Sequence, residues 1–205
     1  MAPPNTALLV IDMQVFFESM TTTALPNIIK LCEHFAKTSA PIVFTKHGHP
    51  KAEMVAHSTS QLVRKWGVNG SIGEGSAEGE IVSALHKYLP KATNTPTIGE
   101  SLPAPESPEF PKLLPKNTYD GFINTPLSTV LESAKIERVI VCGVMTDCCC
   151  DTTARSSFNR GYETWLVSDA CGSANETQHK AGLRGFGYAF GEVMKTNEVI
   201  SMLSE

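Results

Sequence analysis

The chain has 205 residues, 41% of them hydrophobic and 19% charged, enough for one sizeable core, so a single domain over 1–205 is expected. A net charge of −4, with no basic run and no basic–aromatic interleaving, argues against a nucleic-acid partner. No apolar run approaches the roughly 18 residues of a membrane helix, and the opening MAPPNTALLVID lacks a secretory pattern, so the expectation is no membrane partner and a cytoplasmic location, unconventional secretion aside.

In chain order, Thr6–Ile11 is apolar and β-branched and ends on Asp12; Leu25–Lys37 is helical. Pro41–Thr45 reads as a second strand, Glu78–Tyr88 as an amphipathic helix and Thr95–Glu100 as a weaker strand. The proline-rich stretch from Gly99 to Pro115 reads as a long surface excursion. Asn124–Ala134 carries a cap candidate, Pro126 in the first turn, and Leu127, Val130 and Leu131 at helical spacing. Glu137–Met145 is a near-continuous apolar run, typical of a strand covered on both faces. Helix Asp147–Arg160, strand Glu163–Ala170, helix Glu176–Phe190 and strand Glu192–Thr196 follow. Such alternation implies a three-layer α/β/α domain with a mostly parallel sheet of about six strands.

Ligands of such sheets gather beyond the carboxyl ends of the strands. Asp12, His47 and the triplet Cys148–Cys149–Cys150 all fall at such ends. Asp12 is either a turn cap or an acid–base group in a dry site. Consecutive cysteines suit neither a disulfide framework nor zinc, and the chain has no CxxC pair. At a helix start, one of the three meets orphaned N–H groups and the positive end of the dipole. That favours thiolate and could hold an oxyanion, although position alone does not say which cysteine.

Lys116 follows the proline-rich stretch among apolar neighbours; it is either a surface lysine or the charge partner of an aspartate and a thiol. His47 and His49 form an HxH at a strand end without an obvious third ligand. A substrate-contacting or structural role is therefore favoured over metal, and no cofactor is expected. Gln14 and His47 are substrate-contact candidates, and Phe17, Trp66, Tyr119 and Phe122 could wall a flat cyclic substrate.

As a set, LVIDMQVFF at 9–17, KNTYDGFINTPL at 116–127, GVMTDCCCDTTARSSFNRGY at 143–162 and DAC at 169–171 resemble the isochorismatase-like cysteine hydrolases. That family includes nicotinamidases, carbamoyl-type amidohydrolases and isochorismatases. The resemblance implies a nucleophile three residues after Thr146, at Cys149, with Asp12 and Lys116 as its partners. It also implies a cis peptide between Val144 and Met145 and an oxyanion site at the N–H groups of Met145 and Cys149. A small-molecule substrate and a homo-oligomer are further expectations of the same kind. The substrate is expected to be isochorismate or a small amide or carbamoyl compound, with metal-independent nicotinamide hydrolysis as an alternative. Zinc-dependent nicotinamidases carry Asp-x-His after the second strand, where this chain has Lys46-His-Gly-His. The competing reading of another class is a non-catalytic binding or thiol-redox module on the same fold.

Overall fold

β-Branched and leucine-rich runs without polar interruption form the middle of a sheet, because only a strand covered on both faces buries every side chain. The computed structural model describes residues 4–91, 98 and 109–204. Its elements are β1 (Thr6–Ile11), α1 (Glu18–Thr21), α2 (Leu25–Lys37), β2 (Ile42–His47), α3 (Gln61–Trp66), β3 (Lys112–Lys116) and α4 (Leu127–Ser133). β4 (Arg138–Val144), α5 (Asp151–Asn159), β5 (Glu163–Gly172), α6 (Glu176–Ala189), β6 (Glu192–Met194) and α7 (Thr196–Leu203) complete them. The six strands form one parallel sheet in the order β3-β2-β1-β4-β5-β6.

Alternation along β1 feeds two cores. Leu8 and Val10 pack with Ile28, Leu31 and Phe35 of α2 and Val199 of α7. Ala7, Leu9 and Ile11 pack on the opposite face with Leu127 and Val130 of α4, Ala154 of α5 and Phe186 of α6. Each such fully buried aliphatic or aromatic side chain contributes about 1.5–3 kcal/mol of transfer free energy. The three-layer expectation holds.

Several boundaries differ. The sheet takes β3 from inside the stretch read as a surface excursion. Lys112–Lys116 contains Pro115 and lysines at both ends, but it lies at the sheet edge and pairs only with β2. An edge strand tolerates a proline that cannot donate to a ladder. The strand read at Thr95–Glu100 lies outside the described residues, save for a turn at Ile98. Glu78–Tyr88 is not one amphipathic helix; 3-10 turns occupy Ala77–Gly79 and Ser83–Tyr88. β6 stops at Met194, and α7 begins two residues later, a helix that the sequence reading missed.

The strand order reverses at β1, which pairs with β2 on one side and β4 on the other. In open parallel sheets the crevice at the carboxyl ends flanking such a reversal is the default ligand site. Here the two strands approach closely at Gly143, whose φ is +120°. A Cβ there would stand 2.1 Å from the Ile11 carbonyl oxygen, so only glycine fits.

Candidate active site

Asp12 leaves β1 with φ at +48°, a left-handed conformation that costs a non-glycine residue on the order of 1 kcal/mol or more and persists only when neighbours fix it. Thr45 of β2 fixes it: its hydroxyl accepts from the Asp12 N–H at 3.1 Å and donates to Oδ1 at 2.6 Å. The other carboxylate oxygen, Oδ2, lies 2.6 Å from Lys116 Nζ, and both side chains are fully buried. Lys116 ends β3 and also donates to the Thr118 carbonyl at 2.9 Å. Burial pulls its ammonium down, but Asp12 and Cys149 outweigh that and hold it above the ordinary lysine value.

After β4 the Val144–Met145 peptide is cis, and Thr146–Cys150 forms a single π-helical turn before α5 begins. The N–H groups of Cys148 and Cys150 both donate to the Met145 carbonyl at 3.1 Å. Such turns are rare and concentrate at functional positions. The turn places Cys149 beside Asp12 and Lys116, whose charges act on its thiol in opposite senses. Of the triplet, Cys150 is buried, Cys148 is half-buried, and Cys149 alone lines the cavity described below.

The sequence reading expected a thiol acidified by a helix start. Instead burial raises the Cys149 pKa well above the ordinary cysteine value; Lys116 opposes this and Asp12 adds to it. The helix proper starts only at Asp151, so its dipole does not dominate. Burial thus favours the protonated form of the resting thiol.

Cys149 opens on a cavity of about 250 Å³. Its walls are Phe16, Phe17, Met20, Leu62, Trp66, Ile72, Tyr119 and Met145, with His47, His49 and Ser71 as the polar side chains besides the thiol. Among the described residues, no lysine or arginine lines it. Trp66 Nε1 donates to the Tyr119 hydroxyl at 2.8 Å, joining α3 to the loop after β3. His47, His49, Phe17, Trp66 and Tyr119 thus gather around the thiol.

Two residues expected to touch substrate do not line the cavity. Gln14 is fully buried and spends its amide on backbone: Nε2 donates to the carbonyls of His47 and Gly79, each at 2.8 Å, and Oε1 accepts from His47 N–H at 2.7 Å. It ties the end of β2 to the 77–82 segment because two carbonyls there need donors. Phe122 belongs to the core beneath α4 and α5, stacked on Tyr162 with Arg160 over its ring at 4.3 Å from the centroid. Conversely, sequence reasoning missed Thr45, Phe16, Met20 and Ile72. Thr45 alone carried a signal, as the hydroxyl within an apolar strand next to the one bearing Asp12.

A zinc site at the end of β2 can be tested on its donors. His47 and His49 turn their Nε2 atoms toward each other at 3.2 Å, and His49 Nδ1 pairs with Glu53 Oε2 at 2.8 Å. Glu53 therefore meets the far ring nitrogen, not the shared point. Among the described residues no three His, Cys, Asp or Glu side chains converge on one ion position. Two ligands fall short of the three that a catalytic zinc requires, so the donor set does not fit a resident zinc.

A doubly covered parallel sheet with acid, amine and thiol at its switch point is the architecture of a cysteine hydrolase of the α/β class. The Isochorismatase domain family matches residues 6–198, and the chain belongs to that family. It is an isochorismatase-like hydrolase, not a bare binding or redox module. Nicotinamidase 3 of Arabidopsis thaliana is 31% identical over 184 residues, spanning 90% of this chain and 81% of the relative. Ureidoacrylate amidohydrolase RutB of Pseudomonas syringae pv. syringae is 25% identical, spanning all of this chain and 86% of the relative. The crystal structure of a cysteine hydrolase from Pseudomonas syringae pv. phaseolicola superimposes with a TM-score of 0.76 at 26% identity, covering 100% of this chain and 99% of that one.

Proposed function

We propose that the protein hydrolyses the C–N bond of a small, flat, uncharged carboxamide through Asp12, Lys116 and Cys149. The observation that supports this reading is a reactive cluster whose thiol opens on a cavity that, among the described residues, no lysine or arginine lines. A carboxylate buried there would lose its hydration without an ion-pair partner, at a cost of several kcal/mol. That argues against isochorismate, a dicarboxylate, and against ureido acids of the kind named for the bacterial relative. A cavity of about 250 Å³ exceeds the roughly 150 Å³ that holds benzene and suits one ring bearing an amide. The identity with a plant nicotinamidase supports a nicotinamide-type substrate.

The chemistry follows from the placement of these three groups. As the Cys149 sulfur attacks the carbonyl carbon, its proton passes to Asp12, and Lys116 keeps the developing charges compensated. The tetrahedral oxyanion lies against the backbone N–H groups of Met145 and Cys149. Collapse breaks the C–N bond, and the proton on Asp12 goes to the departing nitrogen. Water then adds to the thioester and gives a proton to Asp12. The second collapse expels the sulfur, which regains its proton as the acid leaves.

The test is ammonia release from nicotinamide, a ureido acid and isochorismate cleavage, each with wild type and Cys149→Ala. Nicotinamide turnover that falls by at least about 10⁴-fold in Cys149→Ala is expected. Isochorismate cleavage that survives Cys149→Ala, with no amide turnover by the wild type, would replace thioester chemistry with acid catalysis by Asp12.

A further inference from the structure

Cys149 sits in a single π-helical turn, too short to fix its own direction, so what packs on that turn also sets the sulfur's angle toward Asp12. Its inner side faces the cavity. Its outer side is backed by the first half of α6 and the segment before it. Thr146, fully buried, donates to the Gly172 carbonyl at 2.9 Å and accepts from His179 Nδ1 at 2.8 Å, the imidazole proton residing on Nδ1. Asp147 accepts from the Ser173 hydroxyl and, at 2.9 Å, from Gln178 Nε2. Gln178 is itself anchored, since its N–H donates to the Asn175 cap at 2.9 Å. One helical turn on, Gly182 lets the two backbones meet. A Cβ there would lie 2.9 Å from Asp147 Cα, 3.0 Å from Asp147 N and 3.1 Å from the Thr146 carbonyl carbon.

From these three contacts we infer that α6 is the positioning element of the nucleophile, with His179 and Gly182 as positioning residues. The inference rests on the reading of Cys149 as nucleophile. Neither residue lines the cavity, so neither contributes to binding. His179 acts by holding the Thr146 hydroxyl, and Gly182 by fixing how closely the helix backs the turn. Backbone contact is the stiffer restraint. A misplacement of about 1 Å at a reacting group costs on the order of 10²-fold in rate, whereas the loss of one neutral hydrogen bond costs on the order of tenfold or less.

The substitutions His179→Ala, His179→Asn and Gly182→Ala separate positioning from folding, because Asn Nδ2 superimposes on histidine Nδ1 and can donate to Thr146 in its place. The readouts are kcat and KM on nicotinamide, the iodoacetamide alkylation rate of the Cys149 peptide by mass spectrometry, and the melting temperature. Expected are a kcat about tenfold lower in His179→Ala with KM within twofold, recovery to within threefold in His179→Asn, and a loss of about 100-fold in Gly182→Ala. Alkylation rates change in the same order, and they decide the matter if nicotinamide is not turned over. Wild-type kcat and wild-type alkylation in both His179→Ala and Gly182→Ala would overturn the inference. So would a His179→Asn variant no better than His179→Ala at an unchanged melting temperature. A Cys149→Ala variant that still released ammonia would instead sink the nucleophile itself, a distinct failure.

Discussion

The reactive floor, which lies beneath the cavity lining and reaches it through Cys149, and the cavity's outer wall are built by opposite means. On the floor, Asp12, Thr45 and Lys116 sit at the ends of three neighbouring strands, fully buried, with each carboxylate oxygen assigned to one partner at 2.6 Å. The outer wall comes from Phe16 and Phe17 after β1 and from the excursion between His49 and Ile72. There a six-residue helix presents Leu62 and Trp66, a 3-10 turn contributes only Gly70, and Trp66 keeps half its surface in solvent. Paired charges need a preorganised, dry setting to be worth anything in a reaction. A ring needs only a flat surface. The floor is therefore where geometry is exacting and the wall is where it is permissive.

The sharpest way to break that contrast is to remove one charge from the floor. Lys116→Ala leaves Asp12 buried without its counter-ion, which should destabilise the fold by about 3–5 kcal/mol and abolish turnover. Urea titration and ammonia release read the two effects. Near-native stability with intact turnover would mean that the pair is dispensable. Phe122→Ala should also lower stability, by about 3–5 kcal/mol, yet leave KM unchanged, because the ring stacks on Tyr162 inside the core; a raised KM would return it to the cavity. Trp66→Ala sits at the other extreme. Its half-exposed ring lines the cavity and bonds Tyr119, so steady-state kinetics should show KM up about tenfold, kcat within threefold, and little change in melting temperature.

The same division decides what was legible beforehand. β1 and β4 are uninterrupted apolar runs that end at a polar residue or turn, so their position and the strand-end placement of Asp12 could be read from the one-dimensional pattern. Lys116 and the cysteine triplet were singled out as candidates, but the choice of Cys149 within the triplet and the joining of all three groups into one site came from the family motif. No sequence periodicity encodes which strand lies beside which. β3 was hidden because a proline-containing edge strand looks like a loop. The wall was largely illegible: 3-10 turns leave no helical period, and aromatic residues such as Phe122 and Trp66 carry the same hydrophobic signal whether they face a core or a cavity. The acidification expected of the thiol is opposed by something equally hidden in the sequence, its burial in three dimensions.

His47 joins floor and wall, and it supplies the smallest expected effect. Burial, and next the nearby Lys116 ammonium, push its pKa down from 6.5 to about 3, with Asp12 pulling the other way and His49 adding to the depression. The folded protein therefore keeps this imidazole neutral while the unfolded chain protonates it near its ordinary value. Between pH 6.5 and 3 the unfolded state binds more protons, so stability is fully present above pH 6.5 and is lost as the pH falls through that window. One such proton gives a slope approaching 1.4 kcal/mol per pH unit, a rough ceiling. Carboxylates add their own acid sensitivity lower down, so the discriminating range is pH 5 to 6.5, a rough window above their ordinary values. His47→Gln, which cannot titrate, should flatten the dependence of urea-unfolding free energy on pH in that range while leaving the floor's ion pair in place. An unchanged slope would mean that His47 titrates alike in the folded and unfolded states, so that below about pH 6.5 the wall would carry a cation able to meet a carboxylate substrate.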